Sequence, residues 1–119
     1  MSAYRHRIRP AVLAAIDASR RADEQGDAAE AFRCLEHAHV LGQPSTRLHV
    51  QVHWLMLRWA LRHRRGGEAA GQLLRILGAA TKTALGWVPH GNTGGTAVGA
   101  FRRLAIPPEL QRQIDAARR

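Results

Sequence analysis

An all-α fold is what this chain of 119 residues predicts: a small antiparallel bundle of four main helices, with a Gly-rich loop and a short C-terminal helix. Three observations carry that expectation. Apolar residues recur at helical spacing through the first three quarters of the chain. Capping and stopping residues cut that stretch at regular places. The connection at Gln43-Pro44 is too short to do anything but turn one helix back along the next.

Pro10 suits a first helical position, and Val12, Leu13 and Ile16 follow on one face, so a first helix is expected over about residues 9–22. Gly26 interrupts it. Asp27 is placed to cap a second helix, and Glu30, three residues on, completes a capping-box pattern. That helix is expected to reach Leu41 and to stop at Gly42 as a C′ residue. Ser45 or Thr46 then caps a third helix, which runs to about Arg65 before Gly66-Gly67. A fourth follows over about residues 68–85. From Gly86 the helical period is lost: residues 86–106 form a Gly/Pro-rich segment, Gly91-Asn92-Thr93-Gly94-Gly95 at its centre. A last helix begins at Pro107-Pro108 and ends near Ala117. The whole reads as one domain, residues 1–119.

The formal net charge is +9, and all but one of the eighteen cationic side chains are Arg, the exception being Lys82. Such a balance favours an acidic partner or an anionic small molecule. The cations are scattered and no recognition helix or basic stripe with interleaved aromatics accompanies them, so a nucleic acid is not the expected partner. No apolar run is long enough to span a bilayer, and no secretion signal is read at the N-terminus. A single Cys34 excludes an intrachain disulfide and suits a reducing, cytoplasmic setting.

The chemistry is concentrated at the expected bend between the second and third helices. His39 falls on the apolar face of the second helix with Ala31, Leu35 and Ala38, and Glu36 lies on the shoulder of that face. His49 and His53, four residues apart, share a face of the third helix with Met56 and Ala60. That face lies opposite a polar stripe of Arg47, Gln51, Arg58 and Arg62. In an antiparallel hairpin Glu36, His39, His49 and His53 converge. Three readings of the set stay open. The histidines are hydrogen-bonded core residues, or all four side chains hold one Zn, Cu, Fe or Ni ion, or a desolvated imidazole beside Glu36 acts as a base. The Gly91–Gly95 loop is either a plain turn or a nest of backbone N–H groups with Asn92 and Thr93 that grips an anion. Its lack of a Gly-Lys-Ser/Thr ending rules out a P-loop pattern.

These residues also carry a resemblance. Leu35-Glu36-His37-Ala38-His39-Val40-Leu41-Gly42-Gln43, His49-Val50-Gln51-Val52-His53-Trp54-Leu55-Met56-Leu57, Gly71-Gln72-Leu73-Leu74-Arg75, Pro89-His90-Gly91-Asn92-Thr93-Gly94, Phe101 and Ile106-Pro107-Pro108 resemble the bacterial domain of unknown function 3703. The resemblance implies that Glu36, His39, Gln43, His49, His53 and Asn92 belong to the family pattern, while His37 and His90 are individual to this chain. Gly95-Thr96-Ala97 departs from the more polar sequence of the family. It implies no established activity. In size and style the chain is also similar to the small subunit of two-protein enzymes that close an aziridine ring by displacing sulfate.

The leading expectation is therefore a small helical subunit that lends a buried His/Glu pocket to a larger biosynthetic partner, a lyase or cyclase acting on an anionic small molecule without a cofactor. His39, His49, His53 and Glu36 would do the acid/base work, and Asn92, Thr93 and Gln43 would bind substrate. One alternative is a non-catalytic metal-binding protein using Glu36, His39, His49 and His53. The other is an adaptor that stabilises a larger subunit through Trp54, Trp59 and Leu61.

Overall fold

Helix α1 (Ser2–Glu24) runs for 23 residues, two turns longer at its start than Pro10 suggests. Pro10 lies inside it, where a proline removes one backbone donor and crowds the carbonyl four residues earlier. Packing outweighs that cost. Tyr4 and Ile8, ahead of the proline, are 4% and 1% exposed, the Tyr4 hydroxyl donates to the Leu41 carbonyl at 2.8 Å, and Arg7 Nε donates to the Ala117 carbonyl at 2.7 Å.

The computed structural model describes residues 2–65, 67–69, 71, 72, 76 and 106–119. Besides α1 it contains α2 (Ala28–Gly42), α3 (Thr46–Arg62) and α4 (Pro108–Arg118). Residues 67–69, 71, 72 and 76 are helical too, in the stretch where the fourth helix is expected. No strand occurs among the described residues, and none of these helices is long and apolar enough to cross a membrane. The fold is all-α. The segment 86–105, with Asn92 and Thr93, lies outside the described residues.

Each junction has a local cause. The α1 end is a Schellman turn: Gly26 takes φ +80°, its N–H reaches the Asp23 carbonyl at 3.0 Å, and the Asp27 N–H reaches the Ala22 carbonyl at 2.9 Å. Asp27 then caps α2 by accepting from the Glu30 N–H at 3.0 Å. The capping box is only half made. Because Ala22 already takes the Asp27 N–H, the Glu30 carboxylate pairs instead with Arg33 at 2.8 Å. Ser45, not Thr46, caps α3, accepting from the Leu48 N–H at 3.4 Å. The α3 end comes three residues before the expected Arg65: Arg64 takes the left-handed C′ position at φ 55°, ahead of Gly66-Gly67, and the Arg65 N–H closes on the Ala60 carbonyl at 2.7 Å.

Gly42 corrects the expectation of a left-handed stop. It is the last residue of α2, followed by Gln43 in right-handed helical geometry. Its reason to be glycine is proximity: a Cβ there would lie 3.0 Å from Leu48 Cβ. The two helices of the hairpin pass this close at their bend, and that closeness sets the spacing of the side chains around it.

The core joins Ile8 and Val12 of α1 to Leu35, Ala38 and Leu41 of α2, Val52, Met56 and Ala60 of α3, and Leu110 and Ile114 of α4. Asp23, near the α1 end, clamps the far end of α3. It accepts from Arg62 at 2.7 Å and from His63 at 2.8 Å. Partial burial opposes ionisation of Asp23, but those hydrogen bonds outweigh it and hold the carboxyl below its usual range. Arg47, Gln51, Arg58 and Arg62 are exposed, as the polar stripe predicts.

Candidate metal centre

The hairpin geometry brings three imidazoles to one point. His39 projects from the last turn of α2, and His49 and His53 from the first two turns of α3. Their side chains are 2%, 7% and 2% exposed. The three Nε2 atoms form a near-equilateral triangle: 2.9 Å from His39 to His49, 3.2 Å from His39 to His53 and 3.1 Å from His49 to His53. Among the described residues these three are the set of His, Cys, Asp and Glu ligand atoms that gather within 4.8 Å of one another.

A triangle of ring nitrogens cannot be satisfied by hydrogen bonds among its own members. Each Nε2 either carries a hydrogen and donates, or carries a lone pair and accepts. With two roles and three corners, at least one side must join donor to donor or acceptor to acceptor, whatever the protonation state. Burial makes such a contact costly. A cation removes the conflict, because it takes all three lone pairs at once. The spacing suits one. Two imidazole nitrogens bound about 2.05 Å from a metal lie about 2.9 Å apart at a right angle and about 3.3 Å apart at the tetrahedral angle. The three separations, 2.9, 3.1 and 3.2 Å, fall within those limits.

The electrostatics favour the ligating form. Burial, and then the charge of neighbouring His53, pushes His49 down from the ordinary imidazole value to about 3. The ring is therefore neutral at physiological pH, as a metal ligand must be.

Of the other expected site residues, Asn92 and Thr93 lie outside the described residues. Glu36, one turn earlier on α2, is half-buried, and its carboxylate is not among the atoms that gather within 4.8 Å. Gln43 is buried at 4% exposure and forms the C-cap of α2. His37 is half-buried on the outer side of α2. Trp59, grouped with Trp54 and Leu61 as an adaptor surface, is instead a core residue at 6% exposure. Its ring packs 4.5 Å from Phe32, and its Nε1 donates to the Ala28 carbonyl at 3.0 Å. Trp54 and Leu61 are exposed.

Sequence reasoning passes over one site residue. Gln72 is fully buried, its side-chain oxygen contacts His53 Nδ1, and its amide nitrogen donates to the Glu68 carboxylate at 2.6 Å. It sits 19 residues from His53. Its Gln72-Leu73-Leu74 setting resembles the family pattern, but nothing in its local spacing marks it as a partner of the histidines.

The fold and the triangle define a small helical protein with a buried three-imidazole cluster at a hairpin bend. The chain belongs to the family described as protein of unknown function (DUF3703), whose model matches residues 6–114. No curated protein is matched, and no solved structure is matched.

Proposed function

We propose that this protein binds a single divalent transition-metal ion through Nε2 of His39, His49 and His53, and that its biological role is exercised through that ion. The observation that carries the reading is the closed triangle of buried ring nitrogens at 2.9–3.2 Å, which hydrogen bonding alone leaves in conflict. Imidazole ligands without thiolate favour borderline ions such as Zn(II), Cu(II), Ni(II) or Fe(II) over hard Mg(II) or Ca(II). Three protein ligands of this kind are also the number a catalytic zinc site uses, a further position being left for water or substrate. The net charge of +9 supports an anion as what meets the ion. The acid/base reading draws less support. A general base aims one lone pair at a substrate proton, whereas here three nitrogens are turned on one another.

The test is metal analysis of protein purified without a His tag, followed by titration of the stripped protein with Zn(II) and Co(II). One equivalent should bind, and a free ion concentration a thousandfold above Kd should add about 4 kcal/mol of stability. That would raise the melting temperature by roughly 10–20 °C for a domain of this size. His49→Ala and His53→Ala should lose the shift. No bound metal and no shift with Zn, Co, Ni or Cu would overturn the reading.

A further inference from the structure

We infer that Gln72 is the positioning residue of the metal centre: clamped by Glu68, it fixes the tautomer of His53 and so makes His53 Nε2 a ligand. The inference rests on the metal-binding reading and deepens it.

Start from Glu68. An ionised carboxylate can only accept hydrogen bonds. The Gln72 side-chain nitrogen lies 2.6 Å from Glu68 Oε2, so the –NH2 end of the amide must face Glu68. The carbonyl end must then face the other way, toward His53 Nδ1, which it contacts. A carbonyl oxygen can only accept, so His53 Nδ1 must carry the hydrogen. In a neutral imidazole that leaves Nε2 with the lone pair, aimed at His39 and His49, 3.2 and 3.1 Å away. The Glu68 carboxylate alone dictates which way the Gln72 amide faces.

Placement supports the same role. Gln72 is fully buried, and Gln72 and Glu68 are four residues apart, on one face of the helical stretch that follows α3. Burying an amide is expensive unless its donors and acceptor are used, and two of them are used here in line. A ring N–H held by an acceptor behind the ligating nitrogen is how metal-bound histidines are commonly oriented and made more basic. Loss of such a partner commonly costs 10- to 100-fold in affinity.

The test has two arms. In metal-free wild-type protein, long-range 1H–15N correlation spectra should show His53 as the Nδ1–H tautomer, and a predominant Nε2–H signal would overturn the inference. In the second arm Zn(II) and Co(II) affinities are compared for wild type, Gln72→Leu and the double variant Glu68→Gln/Gln72→Glu. Gln72→Leu removes the acceptor at similar volume and should weaken binding by about 10- to 100-fold. It should also move acid release of the metal to higher pH. Gln72→Glu made together with Glu68→Gln restores an acceptor behind His53 Nδ1 while keeping a donor opposite it across the two positions, and should recover most of the affinity. Equal affinity and pH profile in all three proteins would refute the positioning role while leaving the metal reading intact. A wild type that binds neither ion would instead refute the metal reading, with the tautomer still reporting on the relay. Should Gln72→Leu not fold, Glu68→Gln carries the comparison: it frees the amide to turn over and should populate both His53 tautomers, and a single Nδ1–H form would count against the relay.

Discussion

Replacing Gly42 by alanine tests whether the close approach at the hairpin bend is what assembles the triangle. The added Cβ would meet Leu48 Cβ at 3.0 Å and the Leu48 carbonyl carbon at 3.7 Å. The first is shorter than nearly all real Cβ contacts, and Leu48 Cβ sits directly on the α3 backbone, so it cannot swing aside. Relief requires α3 to back away by a few tenths of an ångström. Overpacking of this kind costs about 1–3 kcal/mol, and alanine in place of a helical glycine returns roughly 0.5–1 kcal/mol. The net expectation is a loss of about 1 kcal/mol, or about 3–5 °C in melting temperature. His49 follows Leu48 directly, so the same shift opens the 2.9 Å contact between His39 and His49, and Zn(II) affinity should fall with stability. Urea unfolding and Zn(II) titration measure both quantities. A Gly42→Ala protein that is more stable than wild type and binds Zn(II) equally well would refute the reasoning.

The Tyr4 phenol is pushed up to about 12, by burial, with Arg118 pulling modestly the other way. Because the folded value lies above the unfolded value of about 10, this stabilisation is complete below pH 10. It is lost as pH climbs toward 12, an effect of about 2–3 kcal/mol. The chain has one tyrosine, so phenolate absorbance reports Tyr4 alone and should show a midpoint near 12 in the folded protein and near 10 in urea. Tyr4→Phe should flatten the alkaline loss of stability. Arg64, at φ 55°, occupies a position that suits glycine. Arg64→Gly should stabilise the protein by about 0.5–1 kcal/mol in urea unfolding, whereas Gly26→Ala, at φ +80°, should lower it by a similar amount or more.

Much of this arrangement is legible in the sequence, for identifiable reasons. The order of the helices follows from capping residues that act within three or four positions, and Asp27 and Ser45 do act so. The three histidines are expected to converge because a short bend at Gln43-Pro44 leaves little freedom, and because residues four apart share a face. What escaped depends on contacts between distant segments. Pro10 reads as a helix start, yet Tyr4 and Ile8 hold two more turns in place through α2 and the core. Gly42 reads as a left-handed stop, yet its cause is Leu48 across the bend. Gln72 lies on a later segment whose packing onto α3 no local pattern specifies.

The hairpin bend has a consequence for how metal would come and go. His39 and His49 are 10 residues apart and His39 and His53 are 14 apart, so a bound ion would close only a short ring of chain. Shortening so small a ring restrains the unfolded polymer modestly, and the ring is already held shut by the Ser45 cap, the Gly42–Leu48 contact and the Tyr4 anchor on Leu41. Unlike a zinc finger, which collapses when stripped, this scaffold would stand ready before loading. Exchange or transfer of the ion could then proceed at the pace of ligand dissociation, with no need to melt and rebuild the protein around each new occupant.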